Sequence, residues 1–118
     1  MKNLVVKGFI LVFLFSLFLT PALAQTATQE VSIIARTYDF LPNLIVVRVN
    51  QPVRIYLTSV DTTHGFALGE FKINRQIDPG KITTIDFIPT KTGEFPFHCS
   101  VFCGWGHLGM KGKLLVVE

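Results

Sequence analysis

Short apolar runs that are rich in Val, Ile, Thr and Phe recur along the chain from residue 31 onward. The runs are VSIIAR, LIVVRV, VRIYLTS, ITTIDFI, EFPFHC and KLLVV. Val53, Ile55 and Leu57 alternate along one run, and no window keeps the apolar spacing of an amphipathic helix, so the pattern predicts strands. Turn sequences such as DPGK and KTGE separate the runs. Short strands with this punctuation are typical of an all-β sandwich or barrel, which we predict for residues 31–118.

The N-terminal residues have a different pattern. Lys2 and Lys7 precede an apolar run from Gly8 to Leu19, and the small-residue sequence ALA follows. This plan predicts a signal peptide over residues 1–24. An uncleaved membrane anchor is the alternative, because the uncharged stretch from Gly8 to Ala24 falls only just short of the roughly 20 residues that span a bilayer. The short polar segment 25–30 is predicted to be a disordered linker.

Both interpretations of the N-terminus predict an exported protein, in the periplasm or at the outer face of the cytoplasmic membrane. Membrane association would then depend on the N-terminal residues. The formal net charge is +3. Loss of Lys2 and Lys7 with the leader would leave 9 basic against 8 acidic side chains. So small an imbalance gives no electrostatic reason to expect a nucleic-acid partner.

Potential metal ligands are concentrated in one segment. Residues 98–112, HCSVFCGWGHLGMKG, contain both cysteines, two of the three histidines and one of the two methionines. Two cysteines in an exported protein suggest a disulfide, but a Cys99–Cys103 bridge would close a very small loop and stabilise little. Two thiolates and two imidazoles, with His64 as the remote ligand, could instead hold zinc. That site leaves Met110 without a role, and a thioether beside Cys and His is typical of copper electron-transfer sites.

The number of cysteines bears on how many copper ions such a site would hold. A mononuclear blue-copper site needs one Cys, two His and usually a Met. Those needs would be met by Cys103, His107, Met110 and His64. Cys99 is then surplus, and from four residues earlier in the same loop it could supply the second thiolate that two sulfur-bridged coppers require. His98 precedes Cys99 but alternates to the opposite face of the strand, so we expect it not to be a ligand.

The segment CSVFCGWGHLGM resembles the CuA loop, Cys-x3-Cys-x3-His-x2-Met, of cytochrome c oxidase subunit II and nitrous-oxide reductase. The stretches YDFLPNLIVV, TSVDTTHGF, DPGKITTIDF and KTGEFPFHC are similar to the periplasmic domain of subunit II, especially in the short B-type heme-copper oxidases. The resemblance covers residues 31–118. It implies a cupredoxin Greek-key β-sandwich or barrel.

The resemblance also implies a binuclear CuA centre with two copper ions. Its ligands would be His64, Cys99, Val101 through the backbone carbonyl, Cys103, His107 and Met110. The cysteines would bridge both coppers, each histidine would complete one, and the methionine would be the weak axial ligand of one. Many long-form subunits have a Glu at the position of Val101, whose carboxylate binds a further metal. We therefore expect that further site to be absent here.

The function implied by the resemblance is transfer of single electrons. The donor would be a c-type cytochrome or a small copper protein, and the acceptor a heme-copper oxidase of the cytochrome c type. The sequence has no heme-attachment motif and no second metal cluster, so no catalytic residue is predicted, and the chain would at most be the electron-accepting component of an oxidase. A periplasmic copper carrier or chaperone that uses the same residues is the alternative. A metal-free structural domain with a Cys99–Cys103 disulfide is a third hypothesis.

Overall fold

A computed structural model of the chain describes residues 20–22 and 26–118. The signal-peptide prediction falls almost entirely outside this part and stays a prediction. The described residues form nine strands and two short 3-10 helices. The strands are β1 (Gln29–Arg36), β2 (Asp39–Leu41), β3 (Leu44–Arg48), β4 (Val53–Ser59), β5 (His64–Leu68), β6 (Ile73–Ile77), β7 (Thr83–Phe87), β8 (Gly93–His98) and β9 (Lys111–Val117), and the 3-10 helices are Gly69–Phe71 and His107–Gly109. Neither helix has the length and apolarity needed to cross a bilayer, a finding that concerns the described residues alone.

The strands form two sheets that pack face to face. One sheet has four strands in the order β2-β1-β4-β7, and the other has five in the order β3-β9-β8-β5-β6. The pairs β1–β4 and β3–β9 are parallel, and the other pairs are antiparallel. The predicted all-β class is thereby confirmed, and each of the six apolar runs overlaps a strand. Three strands lie outside these runs: β2 has only three residues, β5 has the sequence HGFAL, and β6 has the polar sequence INRQI.

Strand β1 begins two residues before Val31, where we expected ordered structure to start. The side chain of Gln29 explains the extension, because its Nε2 donates to the carbonyl of Arg48 at 3.1 Å and its Oε1 accepts from the Arg48 amide at 2.7 Å. The backbone amide of Gln29 also donates to the carbonyl of Pro52 at 2.8 Å. A polar residue is thus ordered through hydrogen bonds rather than apolar burial.

Three phenylalanine rings form the centre of the core beneath the end of the five-stranded sheet. The ring centroids of Phe40 and Phe66 are 5.9 Å apart, those of Phe40 and Phe97 are 5.3 Å apart, and those of Phe66 and Phe97 are 4.9 Å apart. All three side chains are buried. Side chains two positions apart on a strand share a face, so Phe66 and Phe97 place their neighbours His64 and Cys99 on the same interior face.

Replacing Phe97 with alanine is expected to lower the free energy of unfolding by about 3–5 kcal/mol, because the substitution leaves a cavity between the other two rings. Urea denaturation of the metal-free protein measures this change. Phe102→Ala is the matched control, since Phe102 is exposed, and we expect it to alter stability by no more than about 0.5 kcal/mol. Equal effects of the two substitutions would contradict a core centred on these rings.

Candidate metal centre

The predicted ligands lie together at one end of the five-stranded sheet, where the three central strands β9, β8 and β5 are neighbours. His64 begins β5, Cys99 directly follows β8, and Met110 directly precedes β9. Strands β5 and β8 are antiparallel, with Ala67 opposite His98. The first residue of β5 therefore lies beside the residues that follow β8.

The loop between β8 and β9 supplies the remaining side-chain donors, Cys103 and His107. Its two ends are joined by a hydrogen bond of 3.0 Å from the Cys99 amide to the Met110 carbonyl. Within the loop, the His107 amide donates to the carbonyl of Gly104 at 3.1 Å, and the Met110 amide donates to the carbonyl of His107 at 3.1 Å. The chain therefore leaves the sheet and returns to it through a short, internally bonded turn.

A glycine allows β5 to lie close to the start of this loop. A Cβ atom on Gly65 would lie closer than 3.0 Å to Ser100 Oγ and to the amide nitrogen of Val101. The Gly65 amide instead donates to Cys99 Sγ at a distance of 3.4 Å. Only a residue without a side chain permits this approach of backbone to sulfur.

Two cysteine sulfurs lie at the middle of the site. Cys99 Sγ and Cys103 Sγ are 3.8 Å apart, and both cysteines are free thiols. Each sulfur has an imidazole nitrogen beside it: His64 Nδ1 is 3.9 Å from Cys99 Sγ, and His107 Nδ1 is 3.7 Å from Cys103 Sγ. The Met110 Sδ lies 3.8 Å from Cys103 Sγ. Two thiols, two imidazoles and a thioether thus converge on one point.

The carbonyl oxygen of Val101 is the sixth donor at this point, at 3.1 Å from Cys99 Sγ. His64, Cys99 and Met110 are buried, whereas Cys103 and His107 are partly exposed. His98 is exposed on the opposite face of β8, as expected from its alternation with Cys99. The structure therefore brings all six predicted ligands together and places His98 apart from them.

The spacing and chemistry of these donors fit a soft metal. With metal–sulfur bonds of about 2.3 Å and near-tetrahedral angles, two donors on one ion lie roughly 3.7 Å apart. The donor atoms of His64, Cys99 and Cys103 all lie within 4.8 Å of one another. Thiolate together with thioether and imidazole is the ligand set that proteins use for copper in electron transfer.

Asp61 fixes the orientation of the His64 ring. Asp61 Oδ1 accepts a hydrogen bond from His64 Nε2 at 2.6 Å. The proton is therefore on Nε2, and the Nδ1 lone pair faces Cys99. The carboxylate also accepts hydrogen bonds from the amides of Thr37 at 2.7 Å and Thr62 at 2.6 Å. The sequence did not predict this role of Asp61, because nothing in a linear sequence shows which ring a carboxylate contacts.

The environments of Asp61 and Cys103 shift their pKa values in opposite directions. Burial by itself would raise the pKa of Asp61, but the hydrogen bonds from His64, Thr37 and Thr62 outweigh it and hold this pKa well below the ordinary value of 3.8. Burial, followed by contact with Cys99, raises the pKa of the Cys103 thiol from 9.0 to about 11. In the metal-free protein Asp61 is therefore ionised and Cys103 keeps its proton, which metal binding must displace.

An apolar surface surrounds the partly exposed half of the site. It consists of Phe102, Trp105 and Leu108, whose exposed fractions are 68%, 96% and 92%, and we name it the loop patch. The Phe102 ring lies 5.8 Å from the His107 ring and 6.1 Å from the Trp105 ring, measured between centroids. A cluster of exposed aromatic and aliphatic side chains is typical of a surface that another molecule contacts.

Comparison with known proteins gives consistent similarities. Residues 8–116 match the family model described as Cupredoxin-like domain. The chain is 31% identical over 99 residues to cytochrome c oxidase subunit 2 of Thermus thermophilus, covering 82% of this chain and 73% of that relative. Similarity to nitrous-oxide reductase of Ralstonia nicotianae is confined to 68 residues at 35% identity, covering 54% of this chain and 10% of the reductase.

Solved structures agree with these matches. The periplasmic domain of subunit II of cytochrome oxidase from Bradyrhizobium japonicum superposes with a TM-score of 0.71 at 26% identity, covering 76% of this chain and 84% of that domain. A chain from a heme-copper terminal oxidase dimer superposes with a TM-score of 0.69 at 28% identity, covering 75% of this chain and 65% of that one. The expected cupredoxin fold and the expected resemblance to subunit II are confirmed.

Removing the carboxylate beside His64 is expected to weaken copper binding by about 10–100-fold, because the ring loses the group that orients it. The substitution is Asp61→Ala, and competition with a Cu(I) chelator measures the affinity of the full chain. Asp86→Ala is the matched control, since Asp86 forms an exposed ion pair with Arg54. If Asp61→Ala bound copper as tightly as the control, the proposed orienting role of this carboxylate would be wrong.

Proposed function

The chain belongs to the cupredoxin-like domain family together with cytochrome c oxidase subunit 2, and from this we propose that it holds a binuclear CuA centre that relays single electrons to a terminal oxidase. It is a copper-binding electron-transfer protein. The proposal adds the number of copper ions, the residues that bind them and the partners on either side. The ligands would be His64, Cys99, the Val101 carbonyl, Cys103, His107 and Met110.

One observation carries the binuclear assignment: the two cysteine sulfurs lie 3.8 Å apart with an imidazole Nδ1 beside each one. A mononuclear copper site would use only one of the two sulfurs. A zinc site would use both sulfurs and both imidazoles, but it leaves the buried Met110 sulfur facing Cys103 without a function. Two metal ions that share two sulfurs account for every donor at this point.

Bound copper would supply reversible one-electron chemistry, with the unpaired electron shared through the two thiolates. The protein keeps the donors in place before and after a change of charge, since three of them are attached to strand ends and buried. Electron transfer is favoured when the ligands move little, and the hydrogen bond that His64 Nε2 donates to Asp61 limits that movement. The chain itself holds the metal ligands in position and surrounds them with apolar side chains, rather than supplying a catalytic group.

The proposed partners follow from the loop patch and from the relatives. Phe102, Trp105 and Leu108 form an exposed apolar surface next to His107. This surface suits a transient contact with an electron donor, for which we propose a c-type cytochrome or a small copper protein. The relatives are oxidase subunits, which supports a heme-copper oxidase as acceptor. We propose the periplasm or the outer face of the cytoplasmic membrane as the location, with residues 1–24 as the signal peptide or anchor.

Burial of the ligands favours a relay over the alternative of a copper carrier. His64, Cys99 and Met110 are almost inaccessible to solvent, so a partner protein could not replace these three donors while the metal is bound and would contact only the partly exposed side of the site. A carrier would instead offer its ligands to the recipient protein. Incubation of the copper-loaded chain with a metal-free oxidase subunit tests this point: retained copper supports the relay, and rapid quantitative transfer supports the carrier.

The optical and paramagnetic-resonance spectra of the copper-loaded full chain test the binuclear centre. We expect two coppers per chain and an unpaired electron shared equally between them. A single copper with a localised electron, or a colourless zinc-selective protein, would overturn the assignment. A redox-silent protein loaded with two coppers would overturn the electron-transfer role and leave copper binding intact.

Replacing Cys99 with serine is expected to abolish the shared-electron signal, because one of the two bridging sulfurs is lost. Metal analysis should fall from two coppers to one or none per chain. Met110→Leu is the control: it keeps both thiolates and removes only the weak donor, so we expect two coppers and a changed reduction potential. An unchanged spectrum for Cys99→Ser would show that the second thiolate is not a ligand.

A further inference from the structure

Tyr38, in the turn between β1 and β2, lies directly against the metal-binding loop. A Cβ atom on Gly106 would come closer than 3.0 Å to three carbons of the Tyr38 ring, and one on Gly104 would come equally close to the Tyr38 hydroxyl oxygen and to a ring carbon. Real Cβ atoms essentially never approach so closely. The backbone of both glycines is therefore in tight contact with this one side chain.

The two glycines lie between two of the proposed ligands in the loop. Gly104 follows Cys103, and Gly106 precedes His107, so the ring packs on the segment that separates two proposed ligands. Gly106 has a φ of −88° and a ψ of 6°, which other residues can also adopt. The backbone conformation therefore does not require glycine at position 106. The Tyr38 ring does, because it leaves no space for a side chain there.

The same turn also supports the opposite side of the site. The amide of Thr37 donates to Asp61 Oδ2 at 2.7 Å, and Asp61 Oδ1 accepts from His64 Nε2 at 2.6 Å. Thr37 and Tyr38 are consecutive residues of one turn. Thr37 is linked to His64 through the Asp61 carboxylate, and Tyr38 packs on the loop backbone. This turn belongs to the four-stranded sheet, across the core from the strands that bear the ligands.

We propose that Tyr38 is a positioning residue that holds the metal-binding loop in its final shape before copper binds. A loop with several glycines loses much conformational entropy when it is ordered. Packing of the Tyr38 ring against Gly104 and Gly106 removes part of that cost in advance, which strengthens binding by preorganisation. The inference rests on the proposed function in one respect, namely that the loop binds copper. The contact of Tyr38 with Gly104 and Gly106 exists in the metal-free protein.

Amide hydrogen exchange of the reduced, metal-free full chain tests the proposal without copper. The amides of His107, Gly109 and Met110 donate within the loop and report on its order. In Tyr38→Ala we expect these amides to exchange about tenfold faster or more, while β4 amides remain unchanged. In Tyr38→Phe we expect rates within about threefold of the unaltered protein, because ring carbons make the contacts with Gly106.

Tyr56→Ala is the matched control, because Tyr56 is the only other tyrosine and its hydroxyl donates to Glu30 on the neighbouring strand β1. We expect it to leave exchange in the loop within about threefold of the unaltered protein. Loop exchange that is the same in Tyr38→Ala as in the unaltered chain would overturn the proposal. Acceleration of all amides alike, in both sheets, would also overturn it, because it would mean only a general loss of stability.

A reciprocal substitution tests the contact itself. Gly106→Ala places a methyl group against the ring, and we expect it to accelerate loop exchange by about tenfold when Tyr38 is present. In the Tyr38→Ala background the same substitution should change exchange by less than about threefold, since the obstructing ring is gone. Equal effects in the two backgrounds would show that the two residues do not interact and would contradict the proposal.

Copper loading supplies the functional measurement. We expect Tyr38→Ala to lose copper to a chelator about tenfold faster than the unaltered chain and to give a heterogeneous paramagnetic-resonance signal. Tyr38→Phe should restore both properties. If the unaltered chain failed to bind two coppers, the proposed function would fail while the exchange results still decided the role of Tyr38. If two coppers bound but the Tyr38→Ala loop stayed ordered, only the positioning role would fail.

Discussion

The pairing of β8 with β9 is the constraint on which the whole site depends. This antiparallel pair runs from Gly93 opposite Val116 to His98 opposite Lys111, and the hydrogen bond from the Cys99 amide to the Met110 carbonyl extends it by one step. The pairing fixes both ends of the ligand-bearing loop at adjacent positions of one sheet. Because β5 pairs with the other side of β8, the same strand also determines where His64 lies.

Placing polar donors at the end of an apolar core has a cost that the surrounding groups offset. An imidazole without a partner in the interior would be destabilising by a few kcal/mol. The ring of His64 is fully buried, yet its Nε2 donates to Asp61, and Asp61 in turn is bound by two backbone amides. The Cys99 sulfur likewise accepts from the Gly65 amide. The core therefore contains a metal site without leaving its donors unsatisfied.

The sequence predicted the sandwich and the cluster of side-chain donors from Cys99 to Met110 because both depend on local spacing, whereas the complete ligand set with His64 and the Val101 carbonyl was implied by the resemblance to subunit II. Alternation along VRIYLTS and EFPFHC specifies which side chains face inward, and the interval from Cys99 to Met110 is short enough to form one loop. The sequence did not predict the contacts of Tyr38 with Gly106 or of Thr37 with Asp61, since these pairs are far apart in the chain and meet only through the packing of the two sheets. Strand β6 was not predicted because its sequence, INRQI, is mostly polar. Its place in the sheet depends on pairing with β5 at the edge.

The ligands of the site differ in their exposure to solvent, and this difference bears on how the site could work. His64, Cys99 and Met110 are attached to strand ends and buried, whereas Cys103 and His107 lie on the loop and are partly exposed. The exposed half adjoins the loop patch, so a partner molecule and an incoming metal ion would reach the same side. A loop that is accessible enough to admit copper would ordinarily be too mobile to keep electron transfer efficient. Support from the β1–β2 turn on the opposite sheet resolves this conflict, because it orders the accessible half without covering it.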